Sequence, residues 1–402
     1  MKPGKGLVLL FFYFVFLSIT AQENNNRFII KWDNGFKLRS VDEAFRLRFG
    51  GRIMIDHALF WQNNQLNSAY GELPSSSGTE IRRARLFFSG TVYKNVEFKL
   101  DVAFEGGKIA MRDVFLGFRN IPVVGNIRVG NVKEPIRLEI LTSSNYITFL
   151  ERSFLGDFAP IRNSGLLIFN EVCKNRIAYQ AGIFRNADDS GNDLFAGSGY
   201  VFTGRLTGLI RNTDHEQLHL GVSYSHRKPE TKNYSISSGS EMQLIPFKYI
   251  STGTIESVNA VNLINLETAL LINSFSAQAE YLISQVNTRA TNFNFKALYG
   301  QLSYFITGER KVFRSSYSGF ARIKPKRNFE TKSGPGAWEL ALRYSFSDLN
   351  SKYIAGGEET DITLGLNWYL NPVTRIMFNY VWQDVKNIGN ASAFGIRFQI
   401  DF

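Results

Sequence analysis

The sequence predicts an all-β protein, a sixteen-stranded antiparallel transmembrane β-barrel. Three observations predict it: apolar and polar residues alternate with period two in sixteen short runs, no stretch of 18 or more apolar residues follows residue 21, and the final run ends on Phe402. Strict alternation marks a strand with two unlike faces. The missing long apolar run excludes an α-helical membrane protein.

Taken in order, the chain opens with Lys2 and Lys5 before the unbroken apolar run Leu7 to Leu17, then Ser18-Ile-Thr-Ala21 before Gln22. Residues 1–21 therefore read as a secretory signal peptide, the apolar run being too short to span a bilayer. Residues 22–44 are polar and weakly patterned, an N-terminal lead-in with one short strand. From residue 45 the barrel proper, 45–402, begins: Phe45, Leu47, Phe49, Gly51, Ile53 and Ile55 alternate with Arg46, Arg48, Gly50, Arg52, Met54 and Asp56. In a soluble sandwich the apolar side of this run would face a core; in a barrel it faces lipid and the charged side a lumen.

The count of runs chooses between these. Strands are expected at 45–57, 81–92, 96–104, 109–119, 126–132, 164–172, 176–185, 199–210, 216–227, 260–272, 274–285, 294–307, 336–346, 359–370, 373–384 and 393–402. Bacterial single-chain barrels have even strand numbers, short periplasmic turns and longer outer loops. Tyr93-Lys-Asn95, Cys173-Lys-Asn175, Asn273 and Asn371-Pro372 supply short turns, while 62–80, 133–163, 228–259 and 347–358 are long. Residues 308–335, with Arg322-Ile-Lys-Pro-Lys-Arg327, break the rule. They fall where a short periplasmic turn belongs, so either a strand is miscounted or a basic insert folds towards the inner mouth of the barrel.

The last run places Phe394, Ile396, Phe398, Ile400 and Phe402 on one face. An alternating strand ending in phenylalanine resembles the sorting and assembly signal of bacterial outer-membrane barrels, which predicts the outer membrane as location and its lipid as a partner. With 35 Phe and 17 Tyr the chain also has the aromatics that interfacial girdles need. Cys173 is the one cysteine, so no internal disulfide forms. Without Lys2 and Lys5, 44 basic residues face 35 acidic ones, a balance that suits anionic partners. Export argues against nucleic acid, leaving small inorganic anions, carboxylates or lipid headgroups.

The stretch 133–163 is bracketed by Pro135 and Pro160 and carries Ile140, Leu141, Tyr146, Ile147, Phe149, Leu150 and Phe154. So many apolar side chains predict a folded loop packed against the barrel wall, the third on the outer side. Its Lys133, Arg137 and Arg152 are candidates to face the lumen.

Among motifs, His215-Glu-Gln-Leu-His219 matches the zinc-protease pattern, which needs a helix to bring both histidines to one metal. Leu218, Leu220, Val222 and Tyr224 instead alternate as a strand, which separates the histidines by about 13 Å, so a hairpin with exposed histidines is expected. No metal or other cofactor is predicted, and no nucleophile elbow or phosphate-binding glycine loop is present.

The basic residues carry more information. Arg46, Arg48 and Arg52 share the lumen side of the first strand, with successive same-face positions about 6.6 Å apart. On the second, Ala84, Leu86 and Phe88 take the lipid face, which puts Arg83 and Arg85 inside and Arg82 near an interface. Lys99 and Arg128 face inwards from the third and fifth strands. Ladders of Arg and Lys select anions, and a guanidinium holds phosphate oxygens in pairs. The competing explanation is that these cations pair with Glu97, Asp101 and Asp113.

Several stretches closely resemble the phosphate-selective porin O and P family: Phe36-Lys-Leu-Arg39, Arg46-Leu-Arg-Phe-Gly-Gly-Arg52, Arg82-Arg-Ala-Arg85, Gly90-Thr-Val-Tyr-Lys94, Arg128-Val-Gly130, Lys133-Glu-Pro135, Leu141-Thr-Ser-Ser144, Tyr146-Ile-Thr-Phe149, Glu151-Arg-Ser153 and Ala337-Trp-Glu-Leu340. The resemblance implies a sixteen-stranded outer-membrane barrel, a homotrimer, whose third extracellular loop folds inwards into a basic constriction fed by an arginine ladder. By motif, Arg52, Arg82, Arg83, Arg128 and Lys133 match the family's pore-lining cations. Asn145 stands where the family often has a basic residue, which weakens strict phosphate specificity. The expected function is passive diffusion of small anions, phosphate or polyphosphate favoured, without catalysis; the alternatives are a general porin without anion selectivity and a barrel lipid hydrolase.

Overall fold

The computed structural model describes residues 27–192, 197, 199–315, 317–330 and 333–402; the signal-peptide segment lies outside them. Alternation becomes strands as expected. In β3 (Arg46–Gln62), Phe49, Ile53, Ile55, Leu59 and Trp61 are exposed on the outer face, and Arg52, Met54, Asp56, Ala58 and Phe60 are buried on the inner one. The barrel continues through β4 (Ser77–Val92), β5 (Val96–Ala103), β6 (Ala110–Ile121), β7 (Gly125–Lys133), β8 (Arg162–Val172), β9 (Ile177–Arg185), β10 (Tyr200–Asn212) and β11 (Glu216–Lys228). After a loop hairpin, β12 (Ser237–Ser238) and β13 (Ile250–Ser251), it resumes with β14 (Val258–Ile272), β15 (Phe275–Thr288) and β16 (Asn292–Phe305). A second hairpin, β17 (Phe313–Ser315) and β18 (Gly319–Phe320), precedes β19 (Ala337–Ser351), β20 (Ile354–Asn371), β21 (Thr374–Val385) and β22 (Gly389–Asp401). Each wall strand pairs antiparallel with its neighbours, and β22 closes on β3 from Asp401↔Arg52 to Ala391↔Gln62, sixteen strands in the wall.

Two expectations change, and one open alternative is resolved. The lead-in forms a hairpin rather than one strand: β1 (Phe28–Trp32) and β2 (Phe36–Ser40) turn at Asn34 and Gly35, both at positive φ. Its physical reason is the overhang of β3 past the end of β22. The backbone below Gly51 would be an open edge, and β2 covers it from Phe36↔Phe49 to Arg39↔Arg46. Next, 347–358 is not a long loop, because β19 and β20 run on above the bilayer to a two-residue turn. There the outer face carries Asp348, Asn350 and Glu358 while Ser347 and Leu349 stay buried inside, so apolar alternation fades although pairing continues. Last, the strand count stands, and the described residues of 306–336 form an insert at the end of the barrel where the lead-in hairpin and Phe402 lie. It folds into the lumen, where Phe313 and Phe320 pack with Leu138, Leu209, Ala269 and Leu271.

The lumen also holds an apolar core. Ile136, Leu150, Phe154 and Phe158 of the third outer loop (134–161) pack with Met242, Ile245, Tyr249 and Ile250 of the fifth (229–257) against inward Leu263, Leu282, Phe293 and Phe295. A barrel interior is ordinarily polar. Here one side of it is filled like a soluble core, and the open passage is left beside β3 to β7.

Candidate functional site

The third loop is riveted to the wall by carboxylates. Its single helical turn Leu138–Leu141 has orphan N–H groups at one end and orphan carbonyls at the other. The N–H groups of Leu138 and Glu139 donate to Glu280 at 2.9 and 2.8 Å. Lys133 Nζ donates to the carbonyls of Ile140, Leu141 and Thr142 at 2.7, 3.0 and 3.3 Å. Glu134 holds Arg227 at 2.8 and 3.0 Å, and Glu139 accepts the Ser153 hydroxyl at 2.8 Å. The buried Arg137 donates to the carbonyls of Leu155 and Ala159, and Arg152 to those of Glu139 and Thr142 at 3.1 and 2.9 Å, so both order the loop backbone.

Between this loop and β3 to β7 lies a cavity of about 560 Å³, lined by ten Arg and Lys side chains against seven carboxylates. Seven of the cations are Arg52, Arg82, Arg83, Arg85, Lys99, Lys133 and Arg152, which the sequence singles out. Arg112, Arg162 and Lys248 were missed. Arg46, Arg48, Arg128, Arg137 and Asn145 do not line it.

Strand parity misplaced Arg82. Met54 pairs with Arg83 and Ile55 with Ile81, so Arg82 is the extra residue of a bulge. Both arginines turn inward onto Glu151: Arg82 binds at 2.7 and 2.9 Å and Arg83 at 3.3 Å. Arg397, another residue missed although its alternation with Ile396 and Phe398 marks it as inward, reaches Glu151 at 2.8 Å and Asp56 at 2.6 Å. Burial alone would raise the Glu151 pKa, but Arg82, Arg83 and Arg397 outweigh it and hold the carboxyl well below its usual 4.5. A carboxylate held low contributes stability above its unfolded value and loses it only as pH falls through the lowered one. Glu151 is therefore expected to stay ionised and bound to the three arginines from neutral pH down to 4.5, and to protonate only in stronger acid. Infrared titration of the wild type against Glu151→Gln checks it; protonation of Glu151 above 4.5 would contradict it.

Most remaining cations share a carboxylate. Arg85 binds Glu105 at 3.0 and 2.6 Å, Lys99 binds Asp113 at 2.6 Å and Asp101 at 3.0 Å, and Arg162 binds Asp113 at 2.6 Å. Arg52 donates to the Ser144 hydroxyl at 2.8 Å and has no carboxylate partner among the described residues. Arg128 is caged: Glu97 binds it at 2.6 Å, and Phe115, Phe169 and Tyr317 of the insert stack on it at 4.4, 4.8 and 4.7 Å. Arg48 lies over Phe87 and donates to the Asn34 carbonyl at 3.3 Å, while Arg46 pairs with Glu43 in the exposed lead-in. Asn145 has a buried side-chain oxygen without a partner among the described residues, and its carbonyl accepts from Gln399 at 3.2 Å. The histidine motif sits on a strand and its turn. Exposed His215 meets Asn273, but His219 is buried, 2.7 Å from Glu267, because the insert's Phe313 stacks over it.

A closed sixteen-strand barrel with aromatic outer faces, a loop folded into its lumen and a charged passage beside that loop defines an outer-membrane porin. The profile of the phosphate-selective porin O and P family matches residues 53–402, and the chain belongs to that family. Porin O of Pseudomonas aeruginosa is 24% identical over 408 residues, covering 90% of this chain and 88% of that protein. Among solved structures, OmpT of Vibrio cholerae in its trimer form aligns with TM-score 0.57 at 13% identity, over 89% of this chain and 100% of that one. An anion-selective porin from Comamonas acidovorans aligns with TM-score 0.54 at 11% identity, over 89% and 100%. These two likenesses carry the fold alone.

Proposed function

We propose that the protein is a passive outer-membrane channel for small inorganic anions, with phosphate or polyphosphate favoured, working as a homotrimer and without catalysis. The observation that carries this reading is the excess of cations around the open cavity, ten against seven carboxylates. Clefts of one sign with low-dielectric walls concentrate the counter-ion, and rings of Arg and Lys select anions. Membership of a phosphate-selective family and the anion-selective Comamonas porin support it, and the trimer form of OmpT supports the assembly.

The barrel supplies the hole and the inner loops narrow it. Arg52 is the best placed to meet a passing anion, since its only side-chain bond among the described residues is to a neutral hydroxyl. Arg85, Lys99 and Arg162 keep donors to spare while their carboxylates limit how tightly an anion is held. Planar-bilayer recording tests the reading. A reversal potential in a salt gradient favouring chloride over potassium, with current reduced by added phosphate, is the expected result; cation preference would overturn it.

A further inference from the structure

Three guanidinium groups converge on one carboxylate. Arg82 presents two nitrogens to Glu151 at 2.7 and 2.9 Å, Arg83 one at 3.3 Å and Arg397 one at 2.8 Å. Glu151 belongs to the inward loop and borders the open cavity together with Arg82 and Arg83, so it occupies the cradle's open side against whatever passes. Planar forks aimed at one point from several sides are the geometry that binds an oxyanion. In this structure the oxyanion in that position is the protein's own side chain.

The surrounding charges show how evenly the cradle is balanced. Asp56 takes the other side of Arg397 through two bonds of 2.6 Å, and Glu80 lies 3.7 Å from Arg82. Three guanidiniums thus meet three carboxylates, and Glu151 is the one that comes from a loop rather than a strand. Conduction needs an ion to be bound firmly enough to enter and loosely enough to leave. An arginine cradle with no internal partner would violate the second condition.

Resting on the anion-channel reading above, we propose that the Arg82–Arg83–Arg397 cradle is an oxyanion-binding site of the phosphate class, and that Glu151 is its built-in competitor. By occupying the cradle, Glu151 keeps a permeating anion on the weaker Arg52 and Arg85 side of the passage. Its removal leaves a site of carboxylate size carrying one excess positive charge.

The test is Glu151→Gln, nearly isosteric and neutral, in the full-length porin, with inorganic phosphate as the probe. Half-block of chloride current is expected at a phosphate concentration lower by about tenfold or more, the scale of a close charge pair. Phosphate calorimetry on the detergent-purified protein should show the same tightening, whereas Glu151→Asp, which keeps the charge, should resemble the wild type. Unchanged block and unchanged heat in the glutamine variant, with chloride preference retained, would overturn the inference and leave the channel reading intact. A jump in phosphate-free chloride conductance would also overturn it, because Glu151 would then be needed to hold the loop. Cation preference in the wild type would instead defeat the channel reading itself.

Discussion

Arg343→Ala is expected to loosen both inner loops at once and to cost about 3–5 kcal/mol, the range for stranding a buried charge. Arg343 is buried on β19 and serves both loops. It donates to the Glu151 carbonyl at 3.0 Å, lies 3.6 Å from Glu139, pairs with Glu241 of the fifth loop and stacks 4.5 Å from the Phe149 ring. The Glu241 N–H is already tied to Asp361 at 3.0 Å, so removing the guanidinium leaves carboxylates facing one another without their cation. Burial pushes the Glu241 carboxyl above its usual range, with Arg343 pulling the other way. A carboxyl raised on folding is best accommodated protonated, so stability is lost as pH rises past its unfolded value, and without Arg343 that loss should deepen. Thermal unfolding in detergent and single-channel recording check this. A lower midpoint, falling further at higher pH, and a larger, noisier conductance are expected; wild-type values in both would refute the shared pin.

The second large effect separates cations that face the passage from those that only share its parity. Arg52→Ala combined with Arg85→Ala takes the cavity from ten cations against seven carboxylates to eight against seven. Anion preference is expected to drop several-fold in the double variant, since two charges on the open side of a low-dielectric passage disappear. Arg128→Ala should leave the reversal potential where it is and lower thermal stability instead, because Glu97 loses its partner and Phe115, Phe169 and Tyr317 lose the group they stack on. Equal loss of selectivity in both would mean that the cage around Arg128 is open to ions.

The contrast between Arg52 and Arg128 shows what was legible in the sequence. Both lie on inward positions of alternating runs and both fall in family motifs, and those two signals cannot distinguish them. The difference comes from Tyr317, about 190 positions further on, in an insert whose inward course was one of two open readings. Arg82 was misplaced for a related reason: one bulge residue shifts parity, and a bulge is set by the partner strand. The apolar lumen core had a local trace, since β14 and β16 carry apolar residues on both faces, inward Val261, Leu263, Phe293 and Phe295 and outward Ile264, Leu266, Leu298 and Leu302. A strand apolar on both sides of a barrel wall signals that something dry packs inside.

By itself the sequence determined the wall: sixteen strands, their inward and outward faces, the long third loop and its apolar cargo, and the family. Alternation and turn chemistry are local, so they survive being read one residue at a time. Only the tertiary structure decided which cations are free. Charge pairing depends on register, on one bulge and on three inserted segments meeting in the lumen, and a guanidinium beside a buried carboxylate or under a tyrosine ring is a different ligand from one beside a serine hydroxyl.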